Sequence, residues 1–117
     1  MSNLPESIVI CNNNDNISKF KQYNPHIIND TRDIINQRIF NPSFFKLIIV
    51  HENTKEKEKH IKTLYNCVLL NGTFIIPKKL SNLFNDLNNP FKMQDNYVII
   101  HKKNNKIFDL SYKASIV

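Results

Sequence analysis

One glycine, Gly72, serves the whole 117-residue chain, and that scarcity removes several functions at the outset. A phosphate-cradling loop of the G-x-x-x-x-G-K-[ST] kind and a nucleophile elbow of the G-x-S-x-G kind both need more than one. Cysteine is nearly as rare: Cys11 and Cys67 have no C-x-x-C spacing and each sits in an apolar context, which fits buried reduced thiols better than a disulfide framework. The four histidines, His26, His51, His60 and His101, form no H-x-x-x-H or H-x-H pair, so no local zinc motif exists. The longest purely apolar runs are four residues, far short of a membrane-spanning helix, and no secretory leader is visible. An intracellular, cytoplasmic protein is expected. Only two arginines are present against 14 lysines, so the net charge of +6 rests almost wholly on point-charge ammonium groups without the bidentate fork that suits phosphate and guanine.

What is abundant is asparagine (19 residues) and isoleucine (17), a bias toward A/T-rich codons that resembles proteins of large DNA viruses of protists. On that resemblance the expected location extends to host cytoplasm or virion. At 41% hydrophobic, the chain is long enough for one packed domain over 1–117.

Apolar runs and turn signals alternate along it. Ser7 to Cys11 reads as a buried strand. Asp15 or Asn14 can cap a helix reaching about Tyr23, and His26 to Asn29 is a short strand. A second helix runs from Asp30 or Thr31 through Ile39, before Pro42. Phe44 to Val50 is the clearest strand. Thr54 to Leu70 is the strongest helix, with Ile61, Leu64, Tyr65, Val68 and Leu69 on one stripe, Asn53 and Glu56 near a capping box, and Asn71-Gly72 ending it in a left-handed turn. A strand at Thr73 to Pro77, a short helix at Ser81 to Leu87, and an antiparallel pair, Asn96 to Lys102 with Lys106 to Lys113 turning at Asn104-Asn105, complete the chain. This order predicts an α/β fold with a Rossmann-like, mostly parallel sheet flanked by helices and closed by a C-terminal antiparallel hairpin.

The segments FFKLIIVHEN, LYNCVLL, NGTFIIP and DNYVIIHKK, over about residues 44–113, resemble the C-terminal half of a class I S-adenosylmethionine-dependent methyltransferase. On that resemblance the junction SIVICNNNDN corresponds to the first cofactor loop, and Asn12, Asn13, Asn14 and Asp30 become the cofactor-binding residues. Asp30 stands about twenty residues on, where such folds hold ribose hydroxyls. The sequence departs from the family where the chemistry lies. The loop has no glycine, Lys46 replaces the acid of the F-D-L-I run, and His51-Glu52-Asn53-Thr54 replaces D/N-P-P-[YF]. These departures point to a reduced, degenerate relative with no catalytic residues, no cofactor and no metal, acting as a non-enzymatic binding or structural protein. The alternative is a minimal methyltransferase holding S-adenosylmethionine through the four residues named.

Two further constellations stand out. Cys11, Asp30, His51 and Glu52 fall at the carboxyl ends of expected strands, where a thiol-based or metal site would form if they converged; otherwise they are strand and capping residues. Lys78, Lys79, Lys102, Lys103 and Lys106 are candidates for DNA or RNA phosphate contacts. Lys55, Lys57, Lys59 and Lys62 alternate with Glu56 and Glu58 and read as a solvated helix face. A protein partner, or a homodimer formed at the hairpin edge, is the other expected association.

Overall fold

The computed structural model describes residues 6–31 and 44–108. Six strands form one sheet in the order β2-β1-β3-β4-β6-β5, where β1 is Ser7–Ile10, β2 His26–Ile28, β3 Phe45–Val50, β4 Val68–Pro77, β5 Phe91–Gln94 and β6 Tyr97–His101. β1 pairs in parallel with β2 and β3, and β3 with β4, while β6 lies antiparallel between β4 and β5.

This corrects the expected architecture. The sheet is mixed, with three parallel pairings and two antiparallel ones, and so is not the mostly parallel Rossmann-like sheet flanked by helices. Its helical cover is also slight among the described residues: one α-helix, α1 (Glu58–Asn66), and two 3₁₀ segments, Ser18–Tyr23 and Lys78–Leu87. The helix expected to Ile39 lies, beyond Thr31, outside the described residues.

The helix expected from Thr54 to Leu70 is shorter at both ends, Glu58–Asn66. In sequence the apolar stripe Ile61, Leu64, Tyr65 continues at helical spacing through Val68 and Leu69, but the chain leaves the helix at Cys67 and Val68 opens β4. Buried strand residues and a helix stripe look alike over so short a run. β4 then bulges. Phe45 pairs with Val68 and Leu47 with Thr73, so two steps of β3 match five of β4. Within the bulge the left-handed residue is Asn71, at φ 70°, and not Gly72. Gly72 is needed for space: a Cβ there would stand 2.8 Å from the Leu69 carbonyl oxygen and 2.9 Å from that of Lys46.

The hairpin is also displaced. β6 pairs with β5 across a two-residue turn at Asp95-Asn96, with Asp95 at φ 54°. Asn104-Asn105 is not that turn; of the strand expected from Lys106 to Lys113, residues 106–108 form none and the remainder lies outside the described residues. Phe91-Lys92-Met93-Gln94 alternates apolar and polar with a strand's period, yet its side chains are all exposed.

Each face of the sheet carries a core. On one, Ile8, Ile48, Phe74, Ile76 and Val98 pack under α1 and the Lys78–Leu87 segment, through Leu64, Tyr65 and Phe84. Tyr65, Phe74, Phe84 and Phe108 form a cluster of edge-on and tilted rings with centroids 5.4–5.7 Å apart. On the other face, Val9, Leu47, Ile49, Ile75 and Tyr97 pack under Phe20. Among the described residues no helix is long and apolar enough to cross a membrane.

Candidate functional site

Strand order reverses at β1, whose neighbours are β2 on one side and β3 on the other, and an open α/β sheet forms its crevice at the carboxyl ends of such strands. A crevice of about 290 Å³ lies there. Its floor is Ile10 and Cys11 from β1 and the turn after it, and its walls are the residues following β2 and those leading into α1.

The turn after β1 is closed by one carboxylate. The Asn12 N–H donates to Asp15 Oδ2 at 2.8 Å, and the Asp15 N–H donates to the Asn12 carbonyl at 3.1 Å. The Asn53 side-chain amide reaches Asp15 Oδ1 at 3.2 Å from the loop after β3. The Asn12 N–H chiefly, and the Asn53 amide next, hold the Asp15 carboxyl below its usual range, because both favour the charged form. Asn53 also donates its backbone N–H to His51 Nδ1 at 3.1 Å, which leaves Nε2 to donate to the Asn16 carbonyl at 3.1 Å. His51 is thus a buried brace between two loops, 3.6 Å from Asp15.

Across the crevice, buried Thr31 donates to Glu56 Oε1 at 2.7 Å, and His60 Nδ1 lies 3.3 Å from the same oxygen. Thr54 Oγ1 accepts the Glu56 N–H, so the residues before α1 are ordered by Thr54 and not by the expected Asn53–Glu56 capping box. Lys55 and Lys57, expected on a solvated helix face, line the crevice.

Of the four expected cofactor-binding residues, Asn12 and Asp30 line this space. Asn13 stands beside it, accepting from the Asn29 amide at 2.6 Å, and Asn14 is exposed. Asp15, Thr31, Glu56 and His60 were not singled out for the site by their sequence. The Thr31–Glu56 pair joins positions 25 residues apart, and nothing local marks it.

Cys11, Asp30 and His51 do collect at this end of the sheet, but not as a working thiol site. Burial first, and the Asp15 charge second, push the Cys11 thiol up and keep it protonated. Both His51 nitrogens are committed. The Glu52 N–H is held by the Tyr97 hydroxyl at 2.9 Å. Among the described residues no group of three His, Cys, Asp or Glu side chains is placed to hold a metal ion.

The lysine candidates are divided. Lys78 and Lys79 are exposed past the carboxyl end of β4, while Lys103 and Lys106 are exposed past β6, whose antiparallel register puts them at the other end of β4. Lys102 is buried. Its Nζ donates to the Val68 carbonyl at 2.7 Å and lies 4.8 Å from the Tyr65 ring centroid, and burial pushes its ammonium below the usual range.

No protein-family model matches the chain, and no curated protein matches it in sequence.

Proposed function

We propose that the protein acts by binding, not by catalysis, and that the crevice beside β1 takes a small, hydroxyl-bearing ligand of the nucleoside class. The observation that carries this reading is the make-up of the crevice. Asp30 and Glu56 line it with carboxylates, which accept from hydroxyl groups, Lys55 and Lys57 supply donors, and the thiol at its floor is held protonated. Asp30, beside Asn12, also supports S-adenosylmethionine as one such ligand, the second reading being a minimal methyltransferase.

Calorimetric titration with adenosine, S-adenosylmethionine and S-adenosylhomocysteine tests both. A ligand present at 100 times its Kd stabilises the fold by ~2.7 kcal/mol, a shift that thermal melting resolves. The binding reading expects saturable heat with at least one of the three, weakened by Asp30→Ala. No response at millimolar ligand sinks it, and methyl transfer from bound S-adenosylmethionine to any acceptor replaces it with the enzyme reading.

A further inference from the structure

At the far end of the sheet from the crevice, β5 is the last strand in the sheet order. Its ladder to β6 places the Pro90 carbonyl on the His101 N–H at 3.0 Å. By the alternation of an antiparallel pair, the N–H and C=O groups of Phe91 and Met93 then point outward, away from β6. The same two residues carry large exposed apolar side chains, Phe91 at 64% and Met93 at 53%. They rim a groove of about 360 Å³ whose other walls include Phe84, Val98 and Ile100, and among the described residues no charged side chain lines it.

Charge gathers instead at its two ends. The Lys78 N–H donates to the Asn96 carbonyl at 2.9 Å, which fixes Lys78, with Lys79 next to it, at the turn after β5. The Lys103 N–H donates to Asn89 Oδ1 at 3.0 Å, and Asn104, which orders Lys106, reaches the same oxygen at 3.3 Å. Both lysine clusters therefore flank one apolar edge, with Asp95 in the turn between β5 and β6.

We propose that β5 is a docking edge for an extended segment of a partner protein, with apolar side chains at alternate positions and acidic residues at both ends. The segment adds a strand to the sheet. Its backbone pairs with Phe91 and Met93, its apolar side chains enter the groove, and its acidic ends meet Lys78 and Lys103. A second copy of this chain fits the edge poorly, because each copy carries a net charge of +6 and Lys92 within β5 itself.

Fluorescence anisotropy with a labelled peptide, Asp-Glu-Val-Thr-Ile-Thr-Val-Glu-Asp, tests the proposal against the same centre flanked by lysines. Saturable binding of the acidic peptide is expected, at least tenfold weaker with basic flanks, with the Lys78→Glu/Lys103→Glu protein, or in high salt. Met93→Pro removes an outward N–H without touching the β6 ladder and is expected to abolish binding. Should that variant fail to fold, a peptide N-methylated along its pairing edge tests the same hydrogen bonds on the unaltered protein. Equal affinity for acidic and basic flanks, no binding at millimolar peptide, or full affinity of the N-methylated peptide overturns the proposal. So does a single-stranded oligonucleotide that binds these lysines when the peptide does not, or a dimer in sedimentation that buries β5.

Discussion

Tyr97→Phe isolates one hydroxyl at the junction between the sheet and the candidate site. The ring is 3% exposed, stands edge-on to Phe20 at 5.1 Å, and has the Lys19 ammonium 5.2 Å from its centroid. Phenylalanine preserves those contacts. What is lost is the acceptor for the Glu52 N–H, with the hydroxyl's hydrogen bond to the Glu52 side chain, at a cost of about 1 kcal/mol near neutral pH. At high pH the sign reverses. Burial above all pushes the Tyr97 hydroxyl from 10.0 to about 12, with the Glu52 N–H acting the other way and the Glu52 and Asp15 carboxylates adding to the rise. A group whose folded value is raised contributes stability below its unfolded value and loses it as pH climbs through the folded one. Two units correspond to about 3 kcal/mol at ~1.4 kcal/mol per unit, lost by the wild-type chain between pH 10 and 12 and absent from the variant. Urea denaturation from pH 7 to 12 reads the difference. The wild type is expected to be the more stable at pH 7, and the curves to cross between pH 10 and 11. Parallel curves across that range would show that the hydroxyl is not buried as described and refute the reasoning.

Asp15→Asn is expected to flatten the acid side of the stability profile. The carboxyl is held below 3.8, so its contribution is present at neutral pH and is lost as pH falls below that value; an unchanged acid limb in the variant contradicts this. Gly72→Ala is expected to destabilise by about 1–3 kcal/mol, since two of the three atoms that the new Cβ meets are backbone oxygens that cannot swing aside. An unchanged urea midpoint counts against a rigid bulge. Asn66→Ala removes a buried amide that donates to the Phe108 carbonyl and accepts its N–H, both at 3.0 Å, and a loss of about 2 kcal/mol is expected by the same measurement.

Strands flanked by clear polar breaks were legible in the sequence. Ile8 to Ile10 and Leu47 to Val50 are uninterrupted apolar runs because the sheet is covered on both faces there. The start of β4 was not legible, since Val68 and Leu69 extend the spacing of Ile61 and Leu64 and only the bulge against β3 distinguishes them. β5 escaped for the opposite reason: an exposed edge strand has no apolar run to show. In the site, Asp30 could be placed by its distance from the first turn. Glu56 could not, because its role follows from Thr31 and His60, which the fold brings to it.

The asparagines explain how a chain with one glycine still turns. Among the described residues four non-glycine positions have positive φ: Asn24 and Asn88 at the ends of the two 3₁₀ segments, Asn71 in the β4 bulge and Asp95 in the hairpin turn. Asparagine and aspartate tolerate that region at modest cost, so the left-handed work is shared out among them. The turn after β1 is different. None of Cys11 to Asn16 is left-handed; the Asp15 carboxylate closes the turn by accepting from the Asn12 N–H. A side chain thus does there what backbone freedom does elsewhere, and it occupies space in doing so. Asn12 and Asp15 stand in the crevice wall, and Asn13 is tied to Asn29 beside it. The crevice therefore presents polar side chains instead of bare backbone along this loop, the feature on which the proposal of a small hydroxylated ligand rests.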